Sequence, residues 1–175
     1  MKQMNKYKLK KNEVYKINLP SHVEPGDILN NYVDLDNFNR ISTVLSGFSF
    51  DAVKFDSFIL LNYIEDFSLD KSLLYFYEEY KDMSIRQLSV KKKIILDIVT
   101  VIDKYDCFIF SMEALSISTQ TYLFFLFNHL SSYKHEKTFI CFDYSKLNCS
   151  YEKVEINVVT PSWREDLLEK LDFSE

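Results

Sequence analysis

The chain has 175 residues, enough to bury a sizeable core, and residues 1–175 are expected to form a single domain. Hydrophobic residues make up 47% and aromatics 16%, with 15 Phe and 12 Tyr, which excludes a disordered chain. A net charge of -5 and a pI near 5.3 point away from a nucleic-acid binder, whose surface is usually basic.

In chain order, the basic run from Lys6 to Lys11 reads as a solvated face, as does Lys91-Lys92-Lys93 further on. Residues 13–19 alternate, with Tyr15, Ile17 and Leu19 on one side, and predict a half-buried strand. Pro20, Pro25 and Gly26 then punctuate a loop where an α/β nucleotide fold would place its phosphate loop. Residues 58–61 are strand-like, and residues 70–80 place Leu73, Leu74, Phe76, Tyr77 and Tyr80 at amphipathic-helix spacing. Residues 90–105 predict a helix with Ile94, Ile95, Ile98, Val101, Ile102 and Tyr105 on its apolar stripe. Its many β-branched residues lower helix propensity, so packing must hold it.

The continuous run Cys107-Phe108-Ile109-Phe110 suits a buried parallel strand. Residues 119–132 predict a helix with Tyr122, Phe125, Leu126, His129 and Leu130 inward. Residues 138–142 and 154–159 predict two more buried strands. Pro161, with Ser162 and Glu165 at capping-box spacing, opens a last helix bearing Trp163, Leu167, Leu168 and Leu171. Strands alternating with helices imply an α/β fold with a largely parallel sheet, right-handed crossovers and flanking helices.

Gly26 and Gly47 are the only glycines. A Walker A loop, G-x-x-x-x-G-K-S/T, needs two glycines and a lysine, and a Rossmann G-x-G-x-x-G needs three glycines; neither exists here. The three cysteines form no C-x-x-C pair, and Cys107 and Cys141 lie in apolar runs, which fits a reduced cytoplasmic setting. No apolar h-region follows the lysine-rich start, so no secretory signal is expected. Residues 114–133 carry no Lys, Arg, Asp or Glu, yet their serines, threonines, Asn128 and His129 argue against a membrane span.

From Ser84 to Tyr144 the order helix, buried strand, helix, buried strand resembles the C-terminal half of an ABC transporter ATP-binding domain. In that family an L-S-G-G-Q signature opens a helix, and a Walker B strand ends in Asp-Glu. A D-loop, a helix and a strand ending in a switch histidine follow. Here Gln87-Leu88-Ser89-Val90-Lys91 keeps the signature at Leu88 and Ser89, while Val90 and Lys91 replace its glycine pair. Ser111 and Met112 stand where the Walker B Asp and Glu would be. Leu115-Ser116-Ile117-Ser118 occupies the D-loop, and Tyr144 or Asp143 the switch position.

Upstream, Asn12-Glu13-Val14-Tyr15 is similar to the G-E-I/V-Y that leads into Walker A. The following loop has lost both motif glycines and the lysine. It ends in Pro25, Gly26 and Asp27, with Gly26 where the family has a hydroxyl residue. Asn62 stands at the Q-loop glutamine, and the short stretch from Asn62 to Leu88 implies a trimmed helical subdomain.

The resemblance implies a P-loop NTPase-like fold whose ATP chemistry is disabled, with no catalytic residue, no cofactor and no metal. Nothing would cradle or neutralise the phosphates, hold Mg²⁺ or polarise a water. Glu113 is one place beyond the Walker B position, and on a strand such a shift turns a side chain to the other face. The implied role is a pseudo-ATPase working through protein contacts. Its partner would be an active ABC ATPase subunit or a membrane permease, in a homo- or heterodimer, cytoplasmic or peripheral at the membrane through the permease. The alternative is an unrelated α/β regulatory or immunity-type interaction protein, and a third reading is an enzyme with an unrecognised carboxylate site.

Other constellations are weaker. His22, His129 and His135 match no zinc spacing with the cysteines. Asp34, Asp36, Asp51, Asp56 and Asp143 give no D-x-D at a predicted strand end. The hydroxyls between Ser111 and Thr121 lack a G-x-S-x-G elbow. Tyr75, Phe76, Tyr77 and Tyr80 read as core and a sticky face before a base-stacking platform.

Overall fold

The computed structural model describes residues 6–20, 22–46, 82–132, 136–144 and 154–159. The strand expected over residues 58–61, the helices over 70–80 and after Pro161, Asn62, His135 and Cys149 lie outside them. The chain groups into two compact units, one of Met1–Ser46 with Tyr105–Glu175, the other of Gly47–Lys104.

The first unit is α/β, built on a mostly parallel five-stranded sheet. Strand β1 (Tyr7–Lys8) pairs in parallel with β3 (Val33–Asp34) in a small two-stranded sheet. The main sheet contains β2 (Val14–Asn18), β4 (Ile41–Ser46), β5 (Cys107–Ser111), β6 (Thr138–Asp143) and β7 (Ile156–Val158), in the order β4-β5-β6-β2-β7. All neighbours are parallel except β7, which runs antiparallel to β2.

Among the described residues two helices belong to this unit, α1 (Pro25–Tyr32) and, skipping the second unit, α3 (Ile117–Ser132). Strand alternation divides the core between the two faces of the sheet. On one face Tyr15, Ile17, Cys107, Ile109, Ile140 and Phe142 pack with Val23, Ile28 and Leu29 of α1 and its leading loop. On the other, Phe108, Phe139 and Phe127 of α3 stack in sequence, with Phe110 edge-on to Phe127. Burial pushes the Cys107 thiol up to about 12, and burial raises that of Cys141 as well. Both behave as small apolar residues of the sheet.

The amino ends of the strands are latched by polar contacts. Arg40 meets Asp106 through its guanidinium at 2.7 Å, and the Asp106 and Cys107 amides both donate to the Arg40 carbonyl. The hydrogen bond from Arg40 holds the Asp106 carboxyl below its ordinary range. The Tyr15 hydroxyl donates to Glu13 at 2.6 Å and accepts from the Lys10 amide at 2.8 Å; burial, then the Glu13 bond, raises its phenol.

The structure corrects several expectations. Pro25, Gly26 and Asp27 are not loop residues: they form the first turn of α1, with proline at the position where its missing N–H costs nothing. β2 is covered on both faces, not one, because α1 and its leading loop pack on one side and α3 on the other. The third buried strand is instead the edge strand β7, with Ile156 half-buried and Asn157 and Val158 exposed. On α3 the buried set includes Leu123, Phe127 and Asn128, while Phe125 and His129 are half-buried. Residues 122–127 are continuously apolar, so periodicity alone could not choose the face.

The second unit, taken by itself, begins its described part with a 3₁₀ turn, Ile85–Gln87, closed by a capping box between Ser84 and Gln87. Helix α2 (Val90–Thr100) follows, and a 3₁₀ turn, Ile102–Lys104, replaces the expected last helical turns. Ile94, Ile95, Leu96 and Ile98 are buried, and so is Lys92, which the sequence pattern places off the stripe.

Candidate functional site

Ligands of open α/β sheets bind outside the carboxyl ends of the parallel strands. Here those ends are Asn18, Ser46, Ser111 and Asp143, and the described segments beyond them are residues 19–20 and 22–24, residues 112–116 and Tyr144.

The loop after β2 is tied to the sheet and filled with apolar side chains. Leu19 N–H donates to the Asp143 carbonyl at 2.8 Å, Val23 N–H to Pro20 at 3.1 Å, and both Leu19 and Val23 are buried. Glu24 is the N-cap of α1 without a side-chain capping bond, and Asp27 sits in its first turn. Both carboxylates are exposed at the positive end of the helix, the place an anionic ligand would take. Gly26 has no positive φ, and a Cβ added there would meet nothing within 4 Å. It provides neither the left-handed backbone nor the close approach for which a phosphate loop uses glycine.

Beyond β5, Met112 is buried and its N–H donates to Phe142 at 2.8 Å, while Ser111 Oγ accepts the Glu113 N–H at 3.3 Å. Glu113 is exposed in the turn. Ala114 next to it has φ 59°, a left-handed conformation that costs an L-residue about 1–2 kcal/mol. Ala114→Gly is therefore expected to stabilise the protein by about 0.5–1 kcal/mol in urea unfolding, the relief exceeding the added chain entropy. Loss of stability would show that the turn is held differently.

The hydroxyls that follow serve the helix. Ser116 Oγ lies 3.0 Å from both Ser118 Oγ and Thr119 Oγ1 and accepts the Thr119 N–H at 3.3 Å, while Thr121 donates back to the Ile117 carbonyl. Gln120 Nε2 closes the turn by donating to the Leu115 carbonyl at 3.1 Å.

Tyr144 follows β6 and is half-buried. Burial raises its phenol, and the carboxylates of Glu113 and Glu24 raise it further. Acidic groups from the β2 loop and the β5 turn therefore act on one phenol at the end of β6.

Under α3 the edge holds a group that motif reading did not assemble. Asn18 and Asp143 are register partners, and Lys16 lies two residues back on the same face as Asn18. The Lys16 ammonium pairs with the Asp143 carboxylate and sits 5.8 Å over the Phe124 ring. Asp143 is 1% exposed and Lys16 31%. Asn18 Oδ1 is buried without a hydrogen-bond partner among the described residues. The available signal was a lysine and an asparagine on the alternate face of an apolar strand.

The structure thus brings Pro25, Gly26, Asp27, Ser111, Met112 and Tyr144 to one edge of one sheet. Leu88, Ser89, Val90 and Lys91 belong to the second unit, at the start of α2, where Ser89 Oγ accepts the Lys92 N–H at 3.4 Å as a helix cap. Asp143 ends β6 and Asp34 ends β3, in different sheets. Among the described residues no three His, Cys, Asp or Glu side chains gather as metal ligands. No protein-family model matches the chain, and no curated protein matches it.

Proposed function

We propose that this chain is a non-catalytic ABC-ATPase-like protein that acts through protein contacts, as an accessory or partner subunit of a membrane transporter. The junction of β2 with α1 carries the reading. A loop leads from an interior parallel strand into a helix, as a phosphate loop does, yet Glu24 and Asp27 hold the helix's positive end. A triphosphate there would meet these carboxylates and Glu113 with no loop lysine to offset them.

Ser111 and Met112 add a hydroxyl already accepting a backbone N–H and a buried thioether, neither suited to Mg²⁺. The second unit enters the chain between β4 and β5, consistent with a reduced helical subdomain at that point. The expected setting is cytoplasmic or peripheral at the membrane, in a homo- or heterodimer. No helix among the described residues is long and apolar enough to cross a membrane.

Affinity purification of the tagged chain from its own cells, with cross-linking, tests the partnership. Recovery of an ABC ATPase subunit or a permease is expected, and the purified chain should not turn over ATP. Turnover that disappears in Glu113→Gln would contradict the proposal. Recovery of other proteins alone would favour the second reading, an unrelated α/β regulatory or immunity-type interaction protein. The antiparallel β7 against β2 is the observation on that side.

A further inference from the structure

Among the described residues β7 is the last strand of the main sheet and pairs with β2 alone. Val159 N–H donates to the Val14 carbonyl at 2.8 Å, so Val14/Val159 and Lys16/Asn157 are the hydrogen-bonded pairs. The alternation of an antiparallel ladder then turns the N–H and C=O groups of Ile156 and Val158 away from β2, to a side on which no described strand pairs with them. Ile156 is opposite Ile17 and shares its face, whereas Glu155 and Asn157 fall on the other.

On the Ile156 face lies a hollow of about 570 Å³ lined by Lys6, Tyr7, Lys8, Tyr32, Val154 and Ile156. Tyr7 is 44% exposed, and Lys6 and Lys8 are exposed without an ion pair among the described residues. Lys6 and Lys8 also line a second hollow of about 470 Å³ on the β3 side, together with Asp34 and Asp36, and Lys8 is the register partner of Asp34. Among the described residues the lining of the hollow beside β7 itself holds apolar groups and these two ammoniums but no carboxylate, in a chain whose net charge is -5.

We propose that this edge accepts an extended acidic segment of a partner protein as a sixth strand. Strand addition supplies backbone hydrogen bonds to Ile156 and Val158, and alternate side chains supply selectivity. An apolar side chain of the segment settles among Tyr7, Tyr32 and Ile156, and its neighbouring carboxylates meet Lys6 and Lys8. The site uses neither the carboxyl edge nor the second unit, so it stands apart from the ATPase-like reading.

Fluorescence anisotropy with the full chain tests it, using labelled peptides in which Asp or Glu alternates with Val or Phe, and counterparts with Lys in place of the acids. The acidic peptides should bind in the micromolar range, and the Lys6→Glu/Lys8→Glu double variant should weaken them about tenfold through loss and reversal of exposed pairs. Val158→Pro should abolish binding, because it removes an outward N–H and leaves the bonds to β2 intact. Circular dichroism establishes that each variant is folded, and the lysine variant suffices if the proline variant is not. Equal binding by the charge-reversed chain, equal affinity for the lysine peptides, or no saturable binding of the acidic ones would overturn the proposal. So would a dimer in sedimentation that Val158→Pro dissolves, since the occupant would then be a second copy.

Discussion

Replacing Phe127 by alanine is expected to destabilise the protein by about 3–5 kcal/mol, the range for truncating a fully buried aromatic ring. Phe127 is 0% exposed, its ring 4.3 Å from that of Phe139 at 7° and 5.5 Å from that of Phe110 at 62°. Phe139 stacks in turn on Phe108 at 5.1 Å, so one ring joins α3 to both β5 and β6. These aromatic contacts add to the apolar area removed from water, and the stiff sheet beneath limits how far the cavity can collapse. Urea unfolding should show a lower midpoint with an unchanged slope, and Phe127→Leu should cost far less, about 1–1.5 kcal/mol. A loss below about 1 kcal/mol for the alanine variant would mean that α3 does not pack through this residue.

The second large effect is expected at Lys16. Lys16→Met removes the ammonium paired with a carboxylate that is 1% exposed. Breaking a buried pair typically costs about 3–5 kcal/mol, most of it the penalty of the stranded charge. Because Lys16 itself is 31% exposed, solvent screens part of the pair, and a cost of about 2–4 kcal/mol is expected. The asymmetry is diagnostic. Lys16→Met/Asp143→Asn removes both charges and should recover at least half of that loss, since a neutral amide is far cheaper to bury. If the double variant is less stable than Lys16→Met by the full cost of an independent substitution, the two side chains are not coupled.

How far the sequence foretold this architecture depended on whether a segment's burial was local or set by its neighbours. Cys107-Phe108-Ile109-Phe110 and residues 138–142 are continuously apolar, and each became an interior parallel strand within a residue of its expected bounds. β4 was not foreseen: Ser42 is buried, and its Oγ accepts the Ile109 N–H at 2.9 Å, a partner only the assembled sheet supplies. α1 was missed because Pro25-Gly26 carries turn chemistry, and only eight residues separate Glu24 from β3. β7 has the apolar content of a buried strand but becomes an edge by its place in the order, which composition does not encode.

The site was legible to a similar degree. Residue identity and pattern placed Ser111 at the end of an apolar strand, as observed, but put Gly26 in a loop where the structure has a helix. The convergence of Glu24 and Glu113 on Tyr144, and the pairing of Lys16 with Asp143, require β2 to lie beside β6, a long-range juxtaposition that no local pattern contains. Asn12, Ala114 and Glu136 take positive φ where glycine would be the unstrained choice. In a chain with two glycines, left-handed turns fall to other residues, so glycine scarcity limits phosphate loops more than it limits turning.

The proposed pseudo-ATPase role requires that the carboxyl edge of the sheet bind no nucleotide. Isothermal titration of the full chain with ATP and Mg²⁺ addresses that directly. No saturable heat is expected up to about 1 mM ATP, a ceiling that corresponds to binding weaker than about 4 kcal/mol. Micromolar binding, competed by ADP, would contradict the reading of Glu24, Asp27 and Glu113 as groups that close this edge to phosphate.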